Sequence, residues 1–280
     1  MRCRTSSSKL ISTILDSPMH RYGQKYQILP LIGTGGFGYV YAGEKRIDGL
    51  PVALKYIKSD RILNWSDLNG RRVPLEVKMM DHVSECPGVV RLVDHFFQDE
   101  YYVIVTLRLP SYHDLHDFIG ERKRLGEDMA RTIFRQIINA ILACYDKGVL
   151  HGDIKDENIL VNVSTLQVLL IDFGSSTYVD HKLVNKFGGT RVYAPPEVIT
   201  NCHYDLEKVD VWSLGILICN MINGDIPFET DEDICQTNIK FVVTVSQECR
   251  NLIMQCLKQD VSCRLSLVEI AEDPWLSLHS

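Results

Sequence analysis

Between Tyr26 and about residue 107, apolar residues come in short runs rich in β-branched and aromatic side chains: Gly38 to Ala42, Val52 to Ile57 and Tyr101 to Leu107. Turn residues separate them, so the pattern predicts strands of a small antiparallel sheet. One stretch breaks it. Pro74 to His82 sets Leu75, Met79 and Met80 at helical spacing behind a proline able to open a helix. Beyond residue 112 the period lengthens. Met129, Ile133, Phe134, Ile137, Ile138, Ile141, Leu142 and Tyr145 form a broad stripe that Gly148 ends, which predicts a long core helix. Further apolar helical stretches run from about Lys208 to Ile222 and from about Ser246 to Leu257, while Val149 to Phe173 reads as short strands and loops. Residues 1–25, Ser-rich and basic without sustained period, read as a flexible leader. A strand-rich half followed by a helix-rich half predicts an α+β fold over residues 26–276. It has an antiparallel-sheet N-lobe with one main helix (26–107), a larger, mostly helical C-lobe (108–276) and a cleft between.

Charge and cysteine usage narrow what such a fold could do. The net charge is -6 in a chain of 280 residues. That argues against nucleic acid or an anionic membrane as a partner, since both call for a basic excess, and makes basic substrates the better match. Nine cysteines are scattered and never fall in C-x-x-C spacing, which predicts that most are buried free thiols in a reducing compartment, the cytoplasm with the nucleus as a second location. The apolar group Leu10, Ile11, Ile14 and Leu15 is too short and interrupted for a membrane span. Nothing calls for more than a monomer.

Three segments carry candidate chemistry. Gly33-Thr34-Gly35-Gly36-Phe37-Gly38-Tyr39-Val40 is a glycine-rich stretch whose backbone N–H groups could approach a phosphate chain. Because Tyr39 to Ala42 continues as a strand, it reads as a hairpin and not as a dinucleotide turn; no Gly-Lys-Ser/Thr follows, so it is not a Walker loop. Val52-Ala53-Leu54-Lys55 puts a lysine on an apolar strand, with Glu76 on the short helix as its natural counter-ion. His151-Gly152-Asp153-Ile154-Lys155-Asp156-Glu157-Asn158, followed by Asp172-Phe173-Gly174, is the most specific. Phosphoryl transfer needs a carboxylate to accept a hydroxyl proton, oxygen ligands for magnesium, and cations around the transferring group. Asp153, then Asn158 with Asp172, then Lys55 with Lys155, match those needs in turn.

With these motifs in order, the sequence resembles the eukaryotic protein kinase family over roughly residues 26 to 276. Gly189-Thr190, Pro195-Pro196-Glu197, Asp210-Val211-Trp212-Ser213-Leu214-Gly215 and Arg264 match as well. The resemblance implies that ATP and Mg2+ are the cofactors, that ATP sits in the cleft, that Glu197 pairs with Arg264 and that Asp210 anchors the catalytic loop. It further implies that Val40, Ala53 and Leu160 enclose the adenine and that Arg108 and Leu109 lie in the hinge beside it. Lys155 and Gly189-Thr190 look like the serine/threonine branch. Within it, Ile154 to Leu160, Gly189 to Tyr193 and Gly224-Asp225-Ile226-Pro227-Phe228-Glu229 are most similar to the Pim kinases.

Three departures stand out. Gly152 replaces the arginine that in most family members grips an activation-loop phosphate, and after Ser175, Ser176 and Thr177 no serine or threonine occurs before Thr190. Both imply activity without loop phosphorylation. Leu109 stands where Pim hinges carry proline, which restores a backbone N–H facing adenine. Val198 replaces a tryptophan expected after Pro-Pro-Glu. The Pim resemblance also implies protein substrates with arginines before the target hydroxyl. Asp114, Asp117, Asp156, Glu157, Asp225, Glu229, Asp231, Glu232 and Asp233 are candidates to receive them. The other reading is a catalytically silent scaffold on the same fold, with Gly152 as the feature in its favour.

Overall fold

The computed structural model describes residues 25–35, 38–181, 183–184, 187–200 and 204–277. The predicted leader therefore falls outside them except for Lys25, and so do Gly36 and Phe37 of the glycine hairpin. Its contacts divide the chain into two compact units, one holding residues up to 63 together with 92–109, the other 64–91 and everything from 110.

The first unit is a five-stranded sheet of order β1-β2-β3-β7-β6, built from β1 (Tyr26–Gly35), β2 (Gly38–Lys45), β3 (Leu50–Lys58), β6 (Leu92–Gln98) and β7 (Tyr101–Leu107). Every neighbouring pair is antiparallel. Period-two alternation explains β3: Val52, Leu54 and Tyr56 turn into a core with Tyr26, Tyr41, Phe96, Val103 and Val105, while Ala53 and Lys55 take the other face. Tyr41 and Tyr56 meet edge to face at 5.6 Å between centroids, a favoured aromatic geometry.

The second unit opens with a hairpin, β4 (Trp65–Leu68) and β5 (Arg71–Pro74), then α1 (Leu75–His82) with Pro74 as its N-cap. By contacts these residues group with the helical unit. His82 Nε2 bonds the carbonyl of Lys147 at 2.8 Å, and Val90 N–H donates to Leu170 O at 3.0 Å. Short strands β8 (Tyr112–Asp114), β10 (Ile159–Asn162) and β11 (Val168–Leu170) form a three-stranded sheet; β9 (Val149–Leu150) pairs with β12 (Thr177–Tyr178), and β13 (Leu183–Val184) with β14 (Tyr204–Asp205).

Around them lie α2 (Leu115–Arg122), α3 (Glu127–Asp146), α4 (Pro196–Thr200), α5 (Leu206–Asn223), α6 (Asp231–Gln236), α7 (Gln247–Cys256), α8 (Leu267–Ala271) and α9 (Pro274–Ser277). The predicted long helix is α3, and its chain leaves through Gly148 at φ +79°. Nearly all of α5 is buried, as an all-round apolar helix requires. Where α5 passes α7, a Cβ on Gly215 would lie 2.7 Å from that of Cys256, so the glycine sets how closely the two helices approach. Of the described cysteines, Cys86, Cys144, Cys219, Cys249 and Cys256 are buried, as expected of most, while Cys235 and Cys263 are exposed. Among the described residues no helix is long and apolar enough to cross a membrane.

Candidate active site

In the sheet unit, register lines the predicted residues up. Gly33 on β1 pairs with Val40 on β2, Val40 with Lys55 on β3, and Lys55 with Ile104 on β7. One row across the sheet thus carries a glycine, an apolar side chain and a cation. The glycines of the hairpin have different reasons to be there. A Cβ on Gly38 would fall 1.8 Å from the Tyr56 carbonyl oxygen, so the fold itself demands glycine. A Cβ on Gly33 would make only ordinary contact with Val40 at 3.6 Å, so packing does not explain it. Gly35 ends β1 opposite Gly38. Ala53 pairs with Thr106, and after β7 Arg108 N–H donates to Pro51 O at 3.0 Å, which fixes the chain leading into Leu109.

In the helical unit, the loop after β9 is held from beneath by Asp210 of α5. Its Oδ2 accepts His151 N–H at 3.2 Å, and its Oδ1 accepts Gly152 N–H at 3.0 Å. Full burial pushes the Asp210 carboxyl up to about 8, against those two bonds, which favour the anion. Gly152 adopts φ +80°, and a Cβ there would lie 2.5 Å from Ser175 O. A glycine suits this backbone, and the loop is anchored without the arginine found elsewhere. The His151 ring bonds Ile171 O at 3.0 Å and meets the buried Phe173 edge to face at 4.9 Å, which ties the loop to Asp172-Phe173-Gly174.

The Asp153 side chain is clamped at both oxygens. Oδ2 accepts from Asn158 Nδ2 at 3.0 Å; Oδ1 accepts from Thr190 N–H at 2.8 Å and Thr190 Oγ1 at 2.9 Å. Asn158 Nδ2 also donates to Asp153 O at 2.8 Å, so its amide nitrogen is engaged and its oxygen is the atom left for a ligand. Lys155 Nζ stands 3.8 Å from Asp153 Oδ2 and 2.5 Å from Glu157 Oε2. Burial would lower the Lys155 ammonium, but Glu157, Asp153 and Asp172 outweigh it and hold the group above its usual range. Asp172 sits at φ +63°, its Oδ1 accepting Gly174 N–H at 3.1 Å. Glu76 of α1 reaches the same turn, since its Oε2 lies 3.6 Å from where a Gly174 Cβ would be. Leu160 follows on β10, paired with Asp114.

The expected Glu197–Arg264 pair is present and bidentate, at 2.5 and 3.0 Å, with both side chains buried. Val198 is buried without the larger ring. Thr190, Tyr193, Asn220 and His116 make contacts to the loop that sequence reading did not assign. Thr190 and Tyr193 left a signal, as part of the Gly189 to Tyr193 match; Asn220 and His116 left none.

The proposed acidic surface divides. Asp114 caps α2 by accepting Asp117 N–H at 2.7 Å, and Asp156 is buried. Asp225 accepts Ile226 N–H, Asp231 binds Arg191 in a bidentate pair, Glu232 accepts from Gln236 and Asp233 completes a capping box with Thr230. Asp117, Glu157 and Glu229 are exposed.

The family model "Protein kinase domain" matches residues 26–276. The chain is 40% identical over 265 residues to the serine/threonine-protein kinase pim-2 of Danio rerio, covering 91% of this chain and 86% of that one. It is 38% identical to the serine/threonine-protein kinase prk-2 of Caenorhabditis elegans, covering 91% and 59%. A PAS domain-containing serine/threonine-protein kinase of Mus musculus is 32% identical, over 91% of this chain and 19% of that one. Sheet unit, helical unit and catalytic loop agree with that match, and the chain belongs to the protein kinase family as a protein serine/threonine kinase.

Proposed function

We propose that this kinase uses ATP and magnesium to phosphorylate serine or threonine in proteins with arginines near the target, and that it needs no activation-loop phosphate. The observation that carries the reading is the Asp153 carboxylate, clamped by Asn158 and Thr190 in a loop that Asp210 anchors. Bound ATP would supply the phosphoryl group, and magnesium would offset the charge of its phosphates.

The donor set fits that metal. Asn158 and Asp172 offer two hard oxygen ligands, and magnesium is commonly held by one or two such groups plus substrate phosphates. The described residues contain no group of three or more His, Cys, Asp or Glu able to hold a metal unaided. Magnesium binding should therefore depend on the nucleotide. Asp153 would accept the hydroxyl proton, Lys55 and Lys155 would stabilise phosphate charge, and Glu76 would position Lys55. Gly33, Gly35, Gly36, Phe37 and Gly38 would cover the phosphates; Val40, Ala53 and Leu160 would enclose the adenine, with Arg108 and Leu109 at its edge.

Independence from loop phosphorylation is supported by internal bonds. Ser175 Oγ donates to Gly188 O at 2.9 Å, Ser176 Oγ to His151 O at 3.0 Å, and β12 and β13 pair with β9 and β14. The test uses phosphatase-treated protein, Mg-ATP and an arginine-rich serine peptide, beside the Asp172→Ala variant. Transfer by the first and its loss in the second is expected; loss of transfer on phosphatase treatment would overturn loop independence, and transfer surviving Asp172→Ala would overturn the metal assignment.

A further inference from the structure

His116 lies in the first turn of α2, with 67% of its side chain exposed, and its Nδ1 stands 2.9 Å from Oδ2 of Asp156, whose side chain is 7% exposed. No role in phosphoryl transfer calls for it. Asp156 is a hub. Its Oδ1 accepts from Tyr193 OH at 3.1 Å and from Glu157 N–H at 3.0 Å, and its Oδ2 also accepts from Asn220 Nδ2 at 2.9 Å. One buried carboxylate therefore joins the catalytic loop, the turn at Arg191–Tyr193, α5 and α2. An exposed imidazole is its fourth side of contact with the surface.

The surroundings of that imidazole are acidic. Asp114 acts on it from the N-cap of α2, and Asp156 and Glu157 from the turn after Lys155; Asp117 is its exposed neighbour in the chain. The bond to Asp156 is the main reason that its pKa lies above the ordinary histidine value; Asp114 and Glu157 push the same way, and partial burial opposes them. A protonated His116 would place a positive charge among the carboxylates proposed to receive substrate arginines, and a neutral one would leave their charge uncompensated.

We propose that His116 is a specificity-determining residue, an exposed imidazole seated on Asp156 whose charge sets how strongly the Asp114, Asp117 and Glu157 surface takes an arginine-bearing peptide. The inference rests on the basic-substrate reading above and adds to it a residue that competes with the substrate. Protonated His116 offsets the charge of these carboxylates and repels an incoming guanidinium; deprotonation removes both effects. The step alters binding of the peptide and leaves the transfer of phosphate untouched, since Asp153 and its clamps are separate from the imidazole.

The experiment measures KM and kcat for an arginine-rich serine peptide and for its arginine-free analogue, at pH 6 and pH 8, in the native chain, His116→Gln and His116→Arg. Taking the ratio of the two KM values removes titration of ATP, which affects both peptides alike. Glutamine keeps an N–H for Asp156 without ionising, and arginine keeps a permanent charge. In the native chain the preference for the arginine-rich peptide should grow about threefold to tenfold from pH 6 to pH 8, the range expected for one charge several ångströms away near a protein surface. His116→Gln should show the strong preference at both pH values and His116→Arg the weak one, with kcat for the arginine-free peptide unchanged in each.

His113 on β8, 3.8 Å from Glu121, is a second imidazole nearby, and the variants separate its effect from that of His116. A preference that shifts with pH as much in His116→Gln as in the native chain overturns the role of His116 alone, as does one that does not shift in the native chain. No preference for the arginine-rich peptide at either pH, with both peptides phosphorylated, overturns the basic-substrate reading and this inference with it.

Discussion

Gly152 is the residue at which sequence and structure carry different messages. In the sequence it is a missing arginine and the main support for a silent scaffold. In the structure it is a backbone position at φ +80° whose N–H is held by Asp210 and whose missing Cβ leaves room for the Ser175 carbonyl 2.5 Å from where it would be. The left-handed conformation costs a non-glycine residue about 1–2 kcal/mol before any contact is counted. Gly152→Ala should therefore lower stability by about 1–3 kcal/mol, the range for a strained backbone position. A thermal melt would register this as a drop of a few degrees, at roughly 2–4 °C per kcal/mol for a domain of this size. An unchanged melting temperature would mean that the loop relaxes without loss and that glycine is incidental there.

Among the elements, α3 shows how a helix predicted from one face is held by contacts that the pattern does not contain. Its apolar stripe gave the helix and nearly its ends, Glu127 and Asp146. What fixes its N-terminus is the Glu127 carboxylate, which accepts from Ser246 N–H at 2.9 Å, Ser246 Oγ at 2.5 Å and Trp275 Nε1 at 2.9 Å, and pairs with Arg131. Burial alone would raise its pKa, but the bonds from Ser246 and Trp275 and the charge of Arg131 bring it below the ordinary value. A carboxylate lowered in the folded state stabilises the fold above its unfolded value, about 4.3, and loses that contribution as pH falls through its folded value. Glu127→Ala should cost about 2 kcal/mol at pH 7, in the range for bonds to a charged group. Its melting temperature should approach that of the native chain as pH drops from 6 toward 3. A deficit that stays constant with pH would mean the carboxylate charge contributes nothing. The β4–β5 hairpin was the element least legible, because Trp65–Leu68 and Arg71–Pro74 are too short and polar to alternate visibly. Its one signal was Asn69-Gly70, the dipeptide favoured in tight hairpin turns, and both residues do take positive φ, +53° and +75°.

Across the whole molecule, the candidate site was legible in the residues themselves where its chemistry is written consecutively, and between distant residues only where the family resemblance supplied the link, as for Asp210 beneath the loop and Glu197 with Arg264. Asp153, Lys155 and Asn158 share one loop and could be read together. Thr190 and His116 stand 37 and 40 residues from Asp153 and Asp156, the residues they contact, and no periodicity reports a contact at such separation. Charge was legible only as a total. The net -6 counts Asp231 equally with Asp117, although Arg191 neutralises the first, and it counts Asp114 and Asp233, whose oxygens cap helices. The attraction for a basic peptide should come from a few exposed carboxylates, chiefly Asp117, with Glu157 shared with Lys155, and such attraction is screened. Raising salt from 0.05 to 0.3 M shortens the Debye length from about 14 to about 6 Å, so the KM of an arginine-rich serine peptide should rise about threefold or more while kcat holds. The arginine-free analogue should show little change. Equal salt sensitivity for both peptides would place the effect on ATP or on the fold; insensitivity of both would mean that substrate choice rests on shape and not on charge.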